Sequence, residues 1–203
     1  MKSIRVKLTF TEGILGTSPN DEEIYRRFIV DKGRDNGAEI PEAVEVAELE
    51  ALPVDEQIEK GMTVFPRTED GRPFLYDYQI KGFFKDTCAM LKKVPGTRSS
   101  KVKAYKKEID GLIFPVERQI VFENAEMDVC QRPLRAQTMQ GERVALAMSE
   151  EIKAGCSVTF SVAYFLDDQE ALIREWLDYG ALRGIGQWRN SGKGRFDWEE
   201  IKE

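Results

Sequence analysis

The run Gly180-Ala181-Leu182-Arg183-Gly184-Ile185-Gly186-Gln187-Trp188-Arg189-Asn190-Ser191-Gly192-Lys193-Gly194-Arg195 concentrates the residue types that could do chemistry. It holds five glycines and four cations, Arg183, Arg189, Lys193 and Arg195, and no acid. Glycine reaches backbone angles closed to other residues and lets a partner approach the main chain. Amides exposed in such a loop cradle phosphates. The planar guanidinium fork matches phosphate oxygens, and an indole such as that of Trp188 offers a face for a base to stack on. The chemistry implied is capture of a nucleic-acid strand. Gly180 alone is explained by ending the preceding helix. The other four glycines and the cations are not. The reading requires the loop arginines to face an open groove and not this molecule's own carboxylates.

Two named phosphate loops do not fit. The Walker pattern needs four residues between its first glycine and Gly-Lys, then Ser or Thr. Here five residues separate Gly186 from Gly192, and Gly194 follows Lys193. In the dinucleotide pattern a third glycine would fall at Arg189. That motif also lies between a strand and a helix, whereas a helix precedes this run.

Catalytic sets are hard to assemble. Histidine is absent, which removes the commonest general base and metal ligand. Asp167-Asp168-x-Glu170 could hold a divalent cation, but acids at a helix start are also favoured by capping and by the helix dipole. Glu69-Asp70 reads as a turn, and Cys88 sits on an apolar stripe as a core residue. We expect no catalytic residue, no metal and no cofactor.

The chain of 203 residues carries a net charge of −6, with a pI of about 5.1. A global excess of acid argues against a general polyanion binder, so local patches decide. Cys88, Cys130 and Cys156 are odd in number and form no CxxC, which fits a reducing cytoplasm. No charged-then-apolar stretch opens the sequence and no apolar run approaches membrane-spanning length, so neither a leader nor a membrane span is expected.

These residues must be positioned by regular elements. Ile4, Val6, Leu8 and Phe10 alternate with polar residues, giving a half-buried strand over Ser3–Phe10. A helix follows over Asp21–Lys32, then the acidic stretch Glu39–Lys60, whose plain meaning is a solvated face. A sharper meaning is an arm that covers a basic patch on this or a neighbouring copy. Met62–Phe65 and Pro73–Tyr76 read as short strands. Ile80, Phe83, Phe84, Cys88 and Leu91 form a core stripe on a helix from Asp77 to about Lys93, with Lys81 and Lys85 on its other side. From Lys81 to Lys107 there are nine cations, and Asp86 is the one acid, which predicts a mobile basic loop able to grip phosphates. Leu112–Pro115 and Arg118–Phe122 read as paired strands, and Val129–Ala136, Arg143–Ser149 and Cys156–Phe165 as further strands. Asp167-Asp168 caps a helix over Gln169–Tyr179, and a short strand Arg195–Ile201 ends the chain. The order predicts an α+β fold with helices on one face of a largely antiparallel sheet.

Three features carry a family resemblance: the first strand running into a glycine-bearing loop, the helix entry Tyr78-Gln79-Ile80-Lys81-Gly82-Phe83-Phe84-Lys85, and Gly184-Ile185-Gly186 followed by Ser191-Gly192-Lys193-Gly194-Arg195. In these the chain resembles the RAMP superfamily, the RNA-binding subunits of CRISPR effector complexes, and it is similar to prophage proteins of Gram-positive bacteria. The resemblance implies one ferredoxin-like, RRM-related domain over 1–203, with an acidic insertion at about 37–61 and a basic loop at about 93–108. It implies that Gly184, Gly186, Gly192 and Gly194 touch an RNA backbone and that Lys81 and Lys85 belong to the basic helix face. No residue matches the general base of family members that process RNA, and Asp21, Asp31 and Asp35 lack the context of a target-cutting aspartate. The expected nucleic-acid-binding set is Lys81, Lys85, Arg183, Gly184, Gly186, Trp188, Arg189, Asn190, Gly192, Lys193, Gly194 and Arg195. The expected partners are single-stranded nucleic acid, RNA before DNA, and copies of the chain or other ribonucleoprotein subunits, with no membrane. The alternatives are a phage protein-interaction module that mimics or inhibits a CRISPR subunit, and a metal-dependent nuclease.

Overall fold

The computed structural model describes residues 1–20, 62–138 and 141–202. The expected helix over Asp21–Lys32, the acidic insertion at 37–61 and the three aspartates after the first strand lie outside them. The chain divides into two compact units. One comprises Met1–Leu15, Pro66–Met127 and Ile152–Glu203, and the other Gly16–Phe65 and Asp128–Glu151. The fold is α+β, as the element pattern predicts.

The first unit is built on a six-stranded sheet. β1 (Lys2–Phe10) lies between β11 (Phe196–Glu200) and β10 (Ser157–Tyr164), and β10 continues to β7 (Gln119–Glu123) and β5 (Phe74–Tyr76). β6 (Ile113–Pro115) also pairs with β10, and the short β2 (Ile14–Leu15) follows β1. Every pairing in this sheet is antiparallel. The register sets Ile4 opposite Val162, Val6 opposite Phe160 and Leu8 opposite Val158. With side chains alternating along each strand, these residues share one face, and all six are buried.

Three helices complete the unit: α1 (Asp77–Leu91), α2 (Tyr105–Leu112) and α3 (Asp167–Arg183). Phe196 of β11 joins helix to sheet. Its ring meets Phe10 edge-on at 6.0 Å and Phe83 of α1 at 5.4 Å. Phe84 of α1 packs against Trp176 of α3 at 5.3 Å. The apolar stripe read on α1 is thus its core face.

Several local expectations change. β6 and β7 do not pair with each other. Both pair antiparallel with β10 and so run the same way along it, and between them the Glu117 carboxylate accepts the Ser161 amide at 2.7 Å. Gly180 does not end α3. It lies inside the helix because a Cβ there would come within 2.1 Å of the Phe196 ring. The helix ends at Gly184, whose φ of 71° favours glycine. Asp167 and Asp168 lie in the first turn and do not cap it. The Gln169 side chain accepts the Phe165 and Leu166 amides at 3.1 and 3.0 Å and does that work.

The second unit contains β3 (Ser18–Pro19), β4 (Thr63–Val64), β8 (Met127–Thr138) and most of β9 (Gly141–Ile152). β4 pairs antiparallel with β3 and parallel with β9, and β8 pairs with β9. Thr63 and Ser149 share a hydroxyl hydrogen bond of 2.7 Å, and Glu150 accepts the Phe65 amide at 2.9 Å.

Candidate nucleic-acid interface

The glycine run folds as a hoop that closes on itself. Ile185 donates its amide to Gly194 O at 2.9 Å, and Gly194 donates to Gly13 O at 2.9 Å. Inside the hoop Ser191 donates to Trp188 O and Gly192 to Arg189 O, forming a 3-10 turn over Arg189–Ser191. The amides of Gly184, Ile185, Ser191, Gly192 and Gly194 are therefore used within the fold.

Close approach explains the glycines at 184 and 194. A Cβ on Gly194 would fall 1.9 Å from Ile185 O, and one on Gly184 would fall 2.6 Å from Lys193 O. Both have φ of 71°. Gly186 and Gly192 also have positive φ, 88° and 89°. Trp188 shares that left-handed region at φ 56° while keeping a third of its surface exposed (36%). A bulky residue held there costs about 1–3 kcal/mol and persists only where its surroundings impose it.

The loop cations divide into two groups. Arg183 donates to Asp86 of α1 from Nε at 2.9 Å and from Nη2 at 3.4 Å, and Arg189 Nη1 donates to the same carboxylate at 2.6 Å. Arg183 Nη1 also donates to Asn190 Oδ1 at 3.0 Å. Burial works to raise the Asp86 pKa, but the hydrogen bond from Arg183 and the two positive charges outweigh it and leave the pKa lowered. The hydrogen bond to Asp86 raises that of Arg183. These two arginines face this molecule's own carboxylate, contrary to the requirement set above. They pin the hoop to α1, and two guanidiniums on one carboxylate leave a net positive charge there.

Arg195 differs. Among the described residues its guanidinium has no ion pair or hydrogen bond, and its Nε is buried without a partner. It lies against Gly192, where a Cβ would meet the guanidinium carbon at an ordinary contact distance of 3.7 Å, so it is the φ of 89° that favours glycine there. Lys193 is half-buried on the same hoop.

Lys81 and Lys85 do not continue a track from the hoop. Lys85 pairs with Asp110 of α2 at 2.5 Å. Lys81 donates to Asp110 O at 3.2 Å and lies 4.1 Å from the centre of the Phe114 ring. Partial burial lowers the Lys81 pKa, against the opposing pull of the Asp110 charge. Neighbouring residues of a helix point about 100° apart, so Lys85 turns to α2 while Asp86 turns to the hoop.

The basic stretch, expected as a loop over about 93–108, is a hydrogen-bonded lobe that becomes helical at Tyr105. It contains a 3-10 turn at Ser99–Lys101 and runs into α2. Glu175 of α3 accepts the Arg98 and Ser99 amides at 2.7 and 3.0 Å and the Ser99 hydroxyl at 2.6 Å. Trp176 Nε1 donates to Ser99 Oγ at 2.9 Å, and Ser99 is fully buried. Asp86, Glu175 and Ser99 are the positioning residues that reading the sequence missed. Asp86 left one signal, as the lone acid among nine cations.

The acidic cluster considered as a cation site is dispersed. Asp167 pairs with Lys2 at 2.7 Å, and Glu170 binds the Tyr164 hydroxyl and Arg174. Among the described residues no group of three or more His, Cys, Asp or Glu is placed to hold a metal ion. Nor, among them, is any helix long and apolar enough to cross a membrane.

No protein-family model matches the chain, and no curated protein matches it. Among solved structures it is similar to a chain of the Type III-B Cmr-beta bound to cognate target RNA, determined by cryo-EM. The two are 13% identical with a TM-score of 0.47, and the match covers 99% of this chain and 60% of that chain.

Proposed function

We propose that the chain binds single-stranded nucleic acid, RNA before DNA, at the C-terminal glycine hoop, without cutting it, as a subunit of a CRISPR-like ribonucleoprotein. The observation that carries this is Arg195. A half-buried guanidinium with no counter-ion among the described residues, seated against a glycine, has its cost of ordering already met and its donors unspent. A phosphate oxygen supplies what it lacks. Lys193 adds charge, Trp188 is the face on which a base stacks, and Asp86 with Arg183, Arg189 and Asn190 keeps the hoop in shape. The order β1, α1, β7, β10, α3, β11, with β11-β1-β10-β7 side by side, also fits the ferredoxin-like β-α-β-β-α-β core that the resemblance to the RAMP superfamily implies.

The test is fluorescence anisotropy with a labelled oligouridylate and the matching oligothymidylate. The parent protein binds, and Arg195→Ala binds about tenfold more weakly, as loss of a charge-assisted hydrogen bond requires. Its log–log salt slope falls by about 0.7, the value for one phosphate contact on a single strand. Unchanged affinity in Arg195→Ala removes the site, and no binding by the parent at low salt removes the function.

A second reading has its own observation. Leu182 is 68% exposed and Trp188 is partly exposed, and two of the loop cations already share the Asp86 carboxylate. That pattern suits docking on a protein, as in a module that mimics or blocks a CRISPR subunit.

A further inference from the structure

The lobe between α1 and α2 holds a charge arrangement that the hoop does not explain. Residues 92–107 contain seven cations and no acid. Subtracting that +7 from the chain's −6 leaves −13 on the remainder, so positive charge is segregated and not mixed. Lys92 is spent internally: its Nζ donates to Lys103 O at 3.0 Å and lies 5.7 Å from the centre of the Tyr105 ring. The other six, Lys93, Arg98, Lys101, Lys103, Lys106 and Lys107, are all exposed. Among the described residues their side chains make no ion pair.

A face that serves solubility alternates its signs. This one opposes itself. Lys106 and Lys107 stand in the first turn of α2 beside one acid, Glu108, at a helix end where the dipole disfavours cations by about 0.3–1 kcal/mol each. The lobe is nevertheless held in one shape by Glu175, which spends its carboxylate on the Arg98 and Ser99 amides and the Ser99 hydroxyl and leaves the cations unneutralised. Like charges fixed in place at a cost are relieved by an opposing polyanion.

We propose that this lobe is a second contact surface, separate from the hoop, for the phosphate backbone of a nucleic-acid strand. The inference deepens the nucleic-acid reading and rests on it. A phosphodiester chain is favoured over an acidic protein segment because six exposed cations, five of them point-charge ammonium groups, match evenly repeated monoanions. The lobe reads charge and not sequence: ammonium groups supply five of its six cations.

The experiment is the same anisotropy titration with the oligouridylate over a series of salt concentrations, using Lys101→Ala/Lys103→Ala/Lys106→Ala beside Arg195→Ala. The three lysines are exposed, and circular dichroism checks that the fold is kept. A polyglutamate peptide serves as competitor. The lobe variant loses about 2 from the salt slope, three contacts at about 0.7 each, and binds at least tenfold more weakly at low salt. The peptide competes poorly. If the lobe variant matches the parent while Arg195→Ala is weakened, the second surface is refuted and the hoop stands. If the lobe variant is weakened and Arg195→Ala is not, the lobe stands and the hoop falls. If polyglutamate displaces the RNA at equal charge concentration, the lobe is a protein-docking surface and the nucleic-acid assignment is overturned.

Discussion

Replacing Asp86 by Asn tests whether the hoop is held by its one carboxylate. Asn keeps the size and one acceptor oxygen but removes the charge that Arg183 and Arg189 share. Three hydrogen bonds from guanidiniums end on Asp86. A bond to a charged group contributes about 1.5–3 kcal/mol when buried. The side chains involved keep 22–28% of their surface exposed, so water replaces part of each bond. Losing the ionic component then costs about 2 kcal/mol in total. For a chain of this length that is a fall in Tm of about 4–8 °C. The pH dependence has a definite sign. Asp86 has a lowered pKa in the folded state, so its contribution is complete above the unfolded value of about 3.9 and is lost as pH falls through the folded value. The gap between parent and variant, measured by urea unfolding, should be constant near neutrality and should close in acid as the parent's carboxylate is protonated. A gap under about 0.5 kcal/mol at neutral pH, or one that persists unchanged into acid, refutes the role given to Asp86.

Other predictions follow from the same packing. Gly194→Ala places a Cβ 1.9 Å from Ile185 O at φ 71°, and should lower stability by about 2–4 kcal/mol in chemical unfolding. Gly180→Ala meets the Phe196 ring and should cost about 1–3 kcal/mol through overpacking, not the larger penalty of a lost left-handed cap. In Tyr164, burial first, and then the hydrogen bond to Glu170, push the pKa up to about 12. The protonated phenol is thus favoured in the fold, and its contribution, complete below the unfolded value of about 10, is lost as pH rises towards the folded one. Tyr164→Phe should flatten the loss of stability between those two values, as followed by alkaline unfolding.

The sheet and the two longer helices were legible because their patterns are local. Ile4, Val6, Leu8 and Phe10 alternate over nine residues of β1, and Ile80, Phe83, Phe84 and Cys88 recur at helical spacing on α1. α2 was read as loop because Ile109 is its one buried residue and lysines open it. Gly180 was misread as a helix end because the ring that demands it, Phe196, lies on another element. The hoop itself was visible as a glycine and cation run. What its arginines do was not, since their partner Asp86 lies 97 and 103 positions away in sequence. The ordering of the basic lobe depends in the same way on Glu175, 76 positions from Ser99. Long-range ion pairs and caps leave no periodic trace.

Photo-cross-linking a 4-thiouridine-substituted RNA to the intact chain, with the linked peptides located by mass spectrometry, tests the central claim most directly. The account predicts adducts on the hoop around Trp188, Lys193 and Arg195, with a second group at 93–107. Efficient cross-linking confined to other segments, or none under conditions where a known RNA-binding control is labelled, would contradict it.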